Sequence, residues 1–325
     1  MRKALIVGID YYQNLSQLYG CVNDSYSVKS VLERNSDGTL NFDIMHDTAS
    51  NNSQSITRVD LKDKITQLFA DDSEVVLFYY AGHGYIENNG GYLVTSECRR
   101  GDDGLSLDEV LNIANRSRAK NKIIILDSCH SGIAGNNSNI ENRALLSEGM
   151  TILTASSESQ YAQEENGKGV FTSLLVDALN GSASNLLGDI SPASIYAHID
   201  QSLGAWEQRP IFKTNIKKFI SLKKVQPAIS IDDLKMITIL FERISSTFEL
   251  DPTFEPNRDN TNLSDLPEPI EENVEKFRIL QKYNRINLVV PVEEEHMYYA
   301  AMNSKGCKLT PLGEHYWNLV KRERI

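Results

Sequence analysis

Four short runs of almost unbroken apolar residues, "ALIVGI" (4–9), "VVLFYY" (75–80), "KIIIL" (122–126) and "MTILTA" (150–155), constrain this chain more than any other feature. Each is apolar at consecutive positions rather than alternate ones, the mark of a strand covered on both faces. Between them lie "DSYSVKSVLERN", "SITRVDLKDKITQLF" and "SLDEVLNIANRS", and after them "GVFTSLLVDAL" and "SPASIYAHIDQSL". All five carry apolar residues at i, i+3/i+4 spacing and read as helices. Alternation of this kind predicts an α/β fold, a mostly parallel sheet sandwiched between helices. Reactive groups in such sheets belong at the carboxyl ends of the strands.

Two strand ends carry such groups. In "KIIILDSCHSG" (122–132), polarity switches within one step, and Cys129 follows the apolar run by three residues. In "VVLFYYAGHG", His83 follows its run by three residues as well. If the two strands are neighbours, both side chains emerge at one edge of the sheet, with Cys129 as nucleophile and His83 as its base. His130, although adjacent to Cys129, is the poorer base, because neighbouring side chains at a strand end diverge. Gly82 and Gly84 flank His83 and let backbone come close to a substrate. The N–H of Gly84 and that of Cys129 are candidates for an oxyanion hole. A lone cysteine after a strand is ordinarily a small buried hydrophobe. Two strand-end motifs of matching geometry argue for chemistry instead.

"YYAGHG" followed by "ILDSCHSG" resembles the caspase-like cysteine peptidases, and specifically their metacaspase and paracaspase branch. Caspases carry Gln-Ala before the cysteine, where this chain has Asp127-Ser128. The resemblance runs from "KALIVGIDYY" through "LYGCVNDSYSVKSVL" to "GVFTSLLVDAL", about residues 1–222. It implies a caspase-like sandwich, a thiolate at Cys129, His83 as general acid/base, and a covalent acyl-enzyme. It also implies that Asp24, in "GCVND", shares a substrate pocket with Asp127. Two carboxylates suit a guanidinium or ammonium group, so cleavage after Arg, with Lys second, is expected. The alternative for Asp24 is a cap or dipole partner at a helix start. Metacaspases commonly have serine two residues before the histidine, where this chain has Ala81.

No cofactor is required by this reading, and no metal ligands are assigned. Calcium, which many metacaspases bind, is a lesser expectation resting on Asp102 and Asp103. A hairpin turn before a helix capped by Ser106, with Glu109 completing a capping box, explains the same acids. Arg143, in the Asn/Ser/Gly-rich loop 131–149, is a candidate processing site, since caspase relatives are often cut in this region. Lys168 lies in a second polar loop, 156–169. Four scattered cysteines (Cys21, Cys98, Cys129, Cys307) predict neither disulfides nor zinc, and point to a reducing cytoplasm. There is no 18-residue apolar stretch, so no membrane partner is expected. The net charge of −11 opposes nucleic acid.

The reading divides the chain into a peptidase domain (1–224), a linker (225–230) and a small α+β C-terminal domain (231–325). In the last, "IDDLKMITILFERISSTF" reads as one helix and "NLVVPVEEEHMYYAAM" as two strands around an acidic turn. "LTPLGEHYWNLVKR" reads as a closing helix with Thr310 as N-cap and Pro311 at its first position. Helix, hairpin and "LTPLG" together resemble a winged helix. Residues 226–325 hold 12 Lys/Arg against 17 Asp/Glu, and a wing tip of "VEEEH" would face phosphates with three glutamates. A module that docks a regulatory protein partner is expected instead, in a cytoplasmic effector of a bacterial defence or cell-death system. The competing functions are a catalytically silent caspase-like scaffold, a winged-helix DNA-binding regulator, and a ligase or transpeptidase on the same dyad.

Overall fold

The computed structural model describes residues 1–87, 90–128, 136–137, 140–155, 164–165, 168–204, 209–258 and 266–325, with backbone only at 136–137, 140–144, 164–165 and 168. The chain separates into two compact units, Met1–Gln226 and Pro227–Ile325.

The first unit is built on a six-stranded sheet: β1 (Arg2–Ile9), β2 (Asp43–Ala49), β3 (Val75–Ala81), β4 (Asn121–Asp127), β5 (Met150–Thr154) and β6 (Ile211–Asn215). Their spatial order is β6-β5-β4-β3-β1-β2. All neighbours are parallel except the β5–β6 pair at one edge. Strand periodicity splits the central residues between two faces. Leu5, Val7 and Ile9 of β1 join Val76, Phe78 and Tyr80 of β3 in one cluster, completed by helices α2 (Arg58–Phe69) and α3 (Leu107–Arg116). Ala4 and Ile6, with Leu77 and Tyr79, face the other way. There they meet helices α1 (Cys21–Leu32), α4 (Val170–Asp177) and α5 (Pro192–Ser202). Double coverage is the reason these strands read as unbroken apolar runs. Each large aliphatic side chain buried this way contributes about 1.5–3 kcal/mol.

The two edge strands, β2 and β6, escape the sequence reading. "DIMHDTA" and "IFKTN" stay half-exposed over most of their length, so neither needs a continuous apolar run. A small hairpin, Gly84–Glu87 against Gly90–Leu93, is also missed, and it captures Leu105–Ser106 as a third strand. This corrects the expected cap of α3. Ser106 pairs with Tyr92 in that ribbon, and its side chain makes no cap bond. Glu109 turns outward to Arg58 (3.3 Å) and Lys62 (2.5 Å) instead of closing a capping box.

In the second unit the expected single N-terminal helix breaks into α6 (Ile231–Lys235) and α7 (Ile237–Leu240). Phe241 turns extended, and its carbonyl accepts the indole N–H of Trp317 at 2.7 Å. The chain then forms strand β7 (Thr247–Glu249), helix α8 (Glu271–Arg285) and strand β8 (Val289–Pro291). The expected second strand after the acidic turn is a helix, α9 (Met297–Met302), because Met297, Ala300 and Ala301 bury at helical spacing. Glu293–Glu295 therefore join a strand to a helix and do not cap a two-stranded hairpin. The partner of β8 is β9 (Gly306–Leu309), which lies between β7 and β8 in an antiparallel sheet. Phe241, Phe248, Phe254 and Phe277 pack edge to face or tilted, with centroids 5.8–6.4 Å apart. Helix α10 (Pro311–Lys321) starts as expected, the Thr310 hydroxyl accepting from the N–H of Gly313 at 3.0 Å.

Candidate active site

The carboxyl ends of β3 and β4 lie side by side. Their register pairs Val75 with Asn121 and Ala81 with Asp127, and the N–H of Gly82 reaches the carbonyl of Asp127 at 3.3 Å. The pairing offset is therefore 46 residues throughout, the same separation in sequence as between His83 and Cys129. Cys129 and His130 themselves lie outside the described residues.

His83 is held from three directions. Its backbone N–H donates to the Tyr12 hydroxyl (2.8 Å), and its carbonyl lies 3.0 Å from the Tyr80 hydroxyl. The ring tilts at 48° over Tyr12, with centroids 4.6 Å apart. Nε2 stands 2.9 Å from the Ser16 carbonyl, with the Ser16 hydroxyl at 3.4 Å. A carbonyl can only accept, so Nε2 carries the proton and Nδ1 is the basic nitrogen of the neutral ring. Burial pushes the Tyr12 and Tyr80 hydroxyls far above their ordinary range, which keeps this support neutral at any working pH. Gly82 is needed for closeness: a Cβ there would stand 2.6 Å and 2.8 Å from the two tyrosine oxygens. Gly84, the half-buried residue that opens the 84–87 strand, follows directly.

On the other face of the sheet a second cluster forms around the start of α4. Asp24 from α1 is 3% exposed and Asp127 at the end of β4 is 7% exposed. The N–H of Gly169 donates to Asp24 Oδ2 at 2.9 Å. The Thr172 hydroxyl donates to Asp127 Oδ2 at 2.6 Å, and the Tyr79 hydroxyl is 2.6 Å from Thr172 Oγ1. A Cβ on Gly169 would stand 2.6 Å from Asp127 Oδ2 and 2.9 Å from Asp24 Oδ2, so both carboxylates converge on one glycine. Gly169 is also the N-cap of α4 and offers no capping side chain. Its helix start, with positive dipole end and N–H groups, is thus aimed at the two acids. Burial and the charges of Asp127 and Asp24 raise the Tyr79 hydroxyl well above its usual value.

The alternative role of Asp24, capping α1, belongs to Asp10, whose Oδ1 takes the N–H groups of Cys21 (2.9 Å) and Val22 (3.3 Å). The sequence signal was Gly20, a helix N-cap without a side chain, which requires a cap from elsewhere. Ala81 is buried and offers no hydroxyl. The hydroxyl that reaches Asp127 comes instead from Thr172, 45 residues downstream, which spacing alone does not reveal. Asp103 accepts the N–H groups of Arg99 and Arg100 at 3.1 and 3.0 Å, and Asp102 pairs with Arg100 at 2.9 Å. Among the described residues no three His, Cys, Asp or Glu side chains gather where they could hold a metal ion. Arg143 lies on a strand, 140–144, paired with 136–137, and its side chain is outside the described residues, as is that of Lys168. No helix among the described residues is long and apolar enough to cross a membrane.

The mostly parallel sheet flanked by helices is a caspase-like fold. The family model described as Caspase domain, Peptidase_C14, matches residues 1–221, and the chain belongs to this family of cysteine peptidases. It is 37% identical over 86 residues to Metacaspase-1 of Schizosaccharomyces pombe, covering 26% of this chain and 20% of that protein. It is 25% identical over 146 residues to Metacaspase-1 of Plasmodium falciparum, covering 40% and 24%. The matches thus span about a fifth to a quarter of those relatives' length. The crystal structure of Caspase-1 from Spodoptera frugiperda shares the fold, with a TM-score of 0.51 and 14% identity over 69% of this chain and 90% of that one. A Geobacter sulfurreducens protein superposes with the same TM-score at 16% identity, over 69% and 97%.

Proposed function

We propose that the chain is a cysteine endopeptidase that cleaves proteins after Arg, with Lys second. Cys129 is the nucleophile and His83 its acid/base. His83 Nδ1 takes the thiol proton of Cys129, the thiolate adds to the scissile carbonyl carbon, and the N–H groups of Gly84 and Cys129 receive the oxyanion. His83 passes its proton to the departing amine, leaving a thioester. It then takes a proton from water as the hydroxide attacks, and the acid product and free thiol are released. The observation that carries the specificity is the convergence of two buried carboxylates, Asp24 and Asp127, on Gly169 at the end of the strand that leads to Cys129. Two carboxylates converging in this way suit a guanidinium, which carboxylates bind in fork geometry.

The Pro227–Ile325 unit fits a regulatory partner that gates the enzyme, in a defence or cell-death effector, and a cut after Arg143 fits activation. A fluorogenic peptide panel with Arg, Lys, Asp and Asn before the scissile bond, run with and without calcium, tests the specificity and the lesser calcium reading through Asp102 and Asp103. Turnover of Arg first and Lys second is expected, and preference for Asp would sink the pocket assignment. Mass spectrometry of the incubated chain beside Arg143→Ala decides the processing step: full activity with an uncut chain removes it.

A further inference from the structure

The hydroxyls behind Asp127 have a fixed direction. Tyr79 is fully buried, and burial together with the two nearby carboxylates keeps its hydroxyl protonated. Thr172, 1% exposed in the first turn of α4, has one proton, and it points to Asp127 Oδ2 at 2.6 Å. Its oxygen must then accept from Tyr79, also at 2.6 Å. The chain Tyr79 to Thr172 to Asp127 joins three elements, β3, α4 and β4, across separations of 93 and 45 residues. Local folding needs no such chain. The start of α4 already has the N–H of Gly169 on Asp24, and β3 and β4 are paired by their backbones.

We propose that Tyr79 and Thr172 are positioning residues of the substrate pocket, a two-hydroxyl relay that orients the Asp127 carboxylate toward an incoming guanidinium. The relay rests on the reading of Asp24 and Asp127 as the pocket for a cationic side chain. Its physical basis is cooperativity: each hydroxyl polarises the next, and the last bond is made to a charge. Among the described residues, Tyr79 of β3 feels the charges of both Asp127 and Asp24 of α1, with Cys21 of α1 also nearby. Asp24 and burial oppose a charge on Asp127, and the Thr172 hydroxyl favours it. Removing that hydroxyl therefore moves protonation of Asp127 to higher pH.

Steady-state kinetics of the full chain across pH, with an Arg peptide, for wild type, Thr172→Val, Thr172→Ser and Tyr79→Phe, tests the relay. Thr172→Val keeps the shape and deletes the donor. It is expected to lower kcat/KM by about 10-fold or more, mostly through KM, and to move the acidic limb of the profile to higher pH. Thr172→Ser restores both, and Tyr79→Phe shifts both in the same direction by less. Wild-type KM and an unmoved acidic limb in Thr172→Val overturn the relay. So does a loss that serine fails to rescue, since that marks a packing role. A carbon-13 titration of the Asp127 carboxyl in wild type and Thr172→Val reads the relay without any substrate, and an unchanged midpoint there also overturns it. Wild-type indifference to Arg peptides is a separate failure, that of the pocket reading.

Discussion

The two units differ in how they hold buried acids. In the second, the long-range buried bonds join neutral groups, Tyr283 to the Leu234 carbonyl and Trp317 to the Phe241 carbonyl, while local bonds hold Asp251 and the buried Glu255, and Thr310 caps Gly313. Such bonds close turns and start helices, and folding alone accounts for them. In the first unit the buried polar bonds at the sheet's carboxyl edge link residues 45, 93 and 145 apart. Holding two nearly dry carboxylates together costs stability, because their mutual repulsion and desolvation oppose folding. Local polar contacts speak of structure, and long-range buried charge speaks of function.

The largest effects belong to the long-range edge. His83→Ala and Cys129→Ala are each expected to lower turnover by about 10³-fold or more while leaving the thermal midpoint near wild type. His130→Ala keeps substantial activity, and the reverse pattern would falsify the assignment of the base. Next come the pocket acids. Asp127→Ala and Asp24→Ala should each reduce kcat/KM for Arg peptides by about 10- to 150-fold, from roughly 1.5–3 kcal/mol per lost charge-assisted bond. A stability gain in these variants sharpens the comparison, since the acids repel one another in the native state.

Gly169→Ala pushes a methyl between the two carboxylates. Its backbone, at φ −65° and ψ 130°, suits any residue, so the penalty is one of space alone. We expect about 1–3 kcal/mol of lost stability together with weaker Arg binding, measured by denaturation and KM. Thr310→Ala, in the second unit, is the local counterpart. It should lower stability by about 1 kcal/mol and leave peptidase kinetics untouched.

Smallest is a pH effect in the second unit. Burial pushes the Cys307 thiol up to about 12, from an ordinary value of 9.0. A raised pKa means the folded state favours the neutral thiol. Its stabilising contribution is therefore complete below pH 9 and is lost as pH rises towards 12. At pH 8 about one part in ten thousand is thiolate, so iodoacetamide should spare Cys307 in the native chain. Rapid labelling there would break the picture of a tightly packed sheet around it.

The legible part of the fold was what two-sided burial writes into sequence. β1, β3, β4 and β5 stood out because helices cover both faces, whereas β2 and β6, at the edges, left no continuous run. The same limit misread α9, read as a strand after the acidic turn, where the burial of Ala300 and Ala301 decided for a helix. Of the candidate site, His83 and Asp127 were legible as polar residues where apolar strands end, and Asp24 only through the family resemblance. Tyr12, Ser16, Thr172 and Gly169 were not. Each acts through a contact made only after distant segments fold together, and a Ser16 carbonyl that fixes the histidine tautomer has no side-chain signature at all.

The constant β3–β4 register bears on which changes of length the enzyme can absorb. Alignment is fixed within the strands, so the exposed turns of the connection between them can change length without moving the two strand ends. An insertion inside either strand is another matter. One added residue would swing every following side chain to the opposite face and carry the reactive position about 3.3 Å along the sheet. Grafted sensor or reporter modules therefore belong at the exposed Arg99–Arg100 turn rather than in its buried flanks, and a single-residue duplication within the fully buried Val75–Ala81 should abolish cutting.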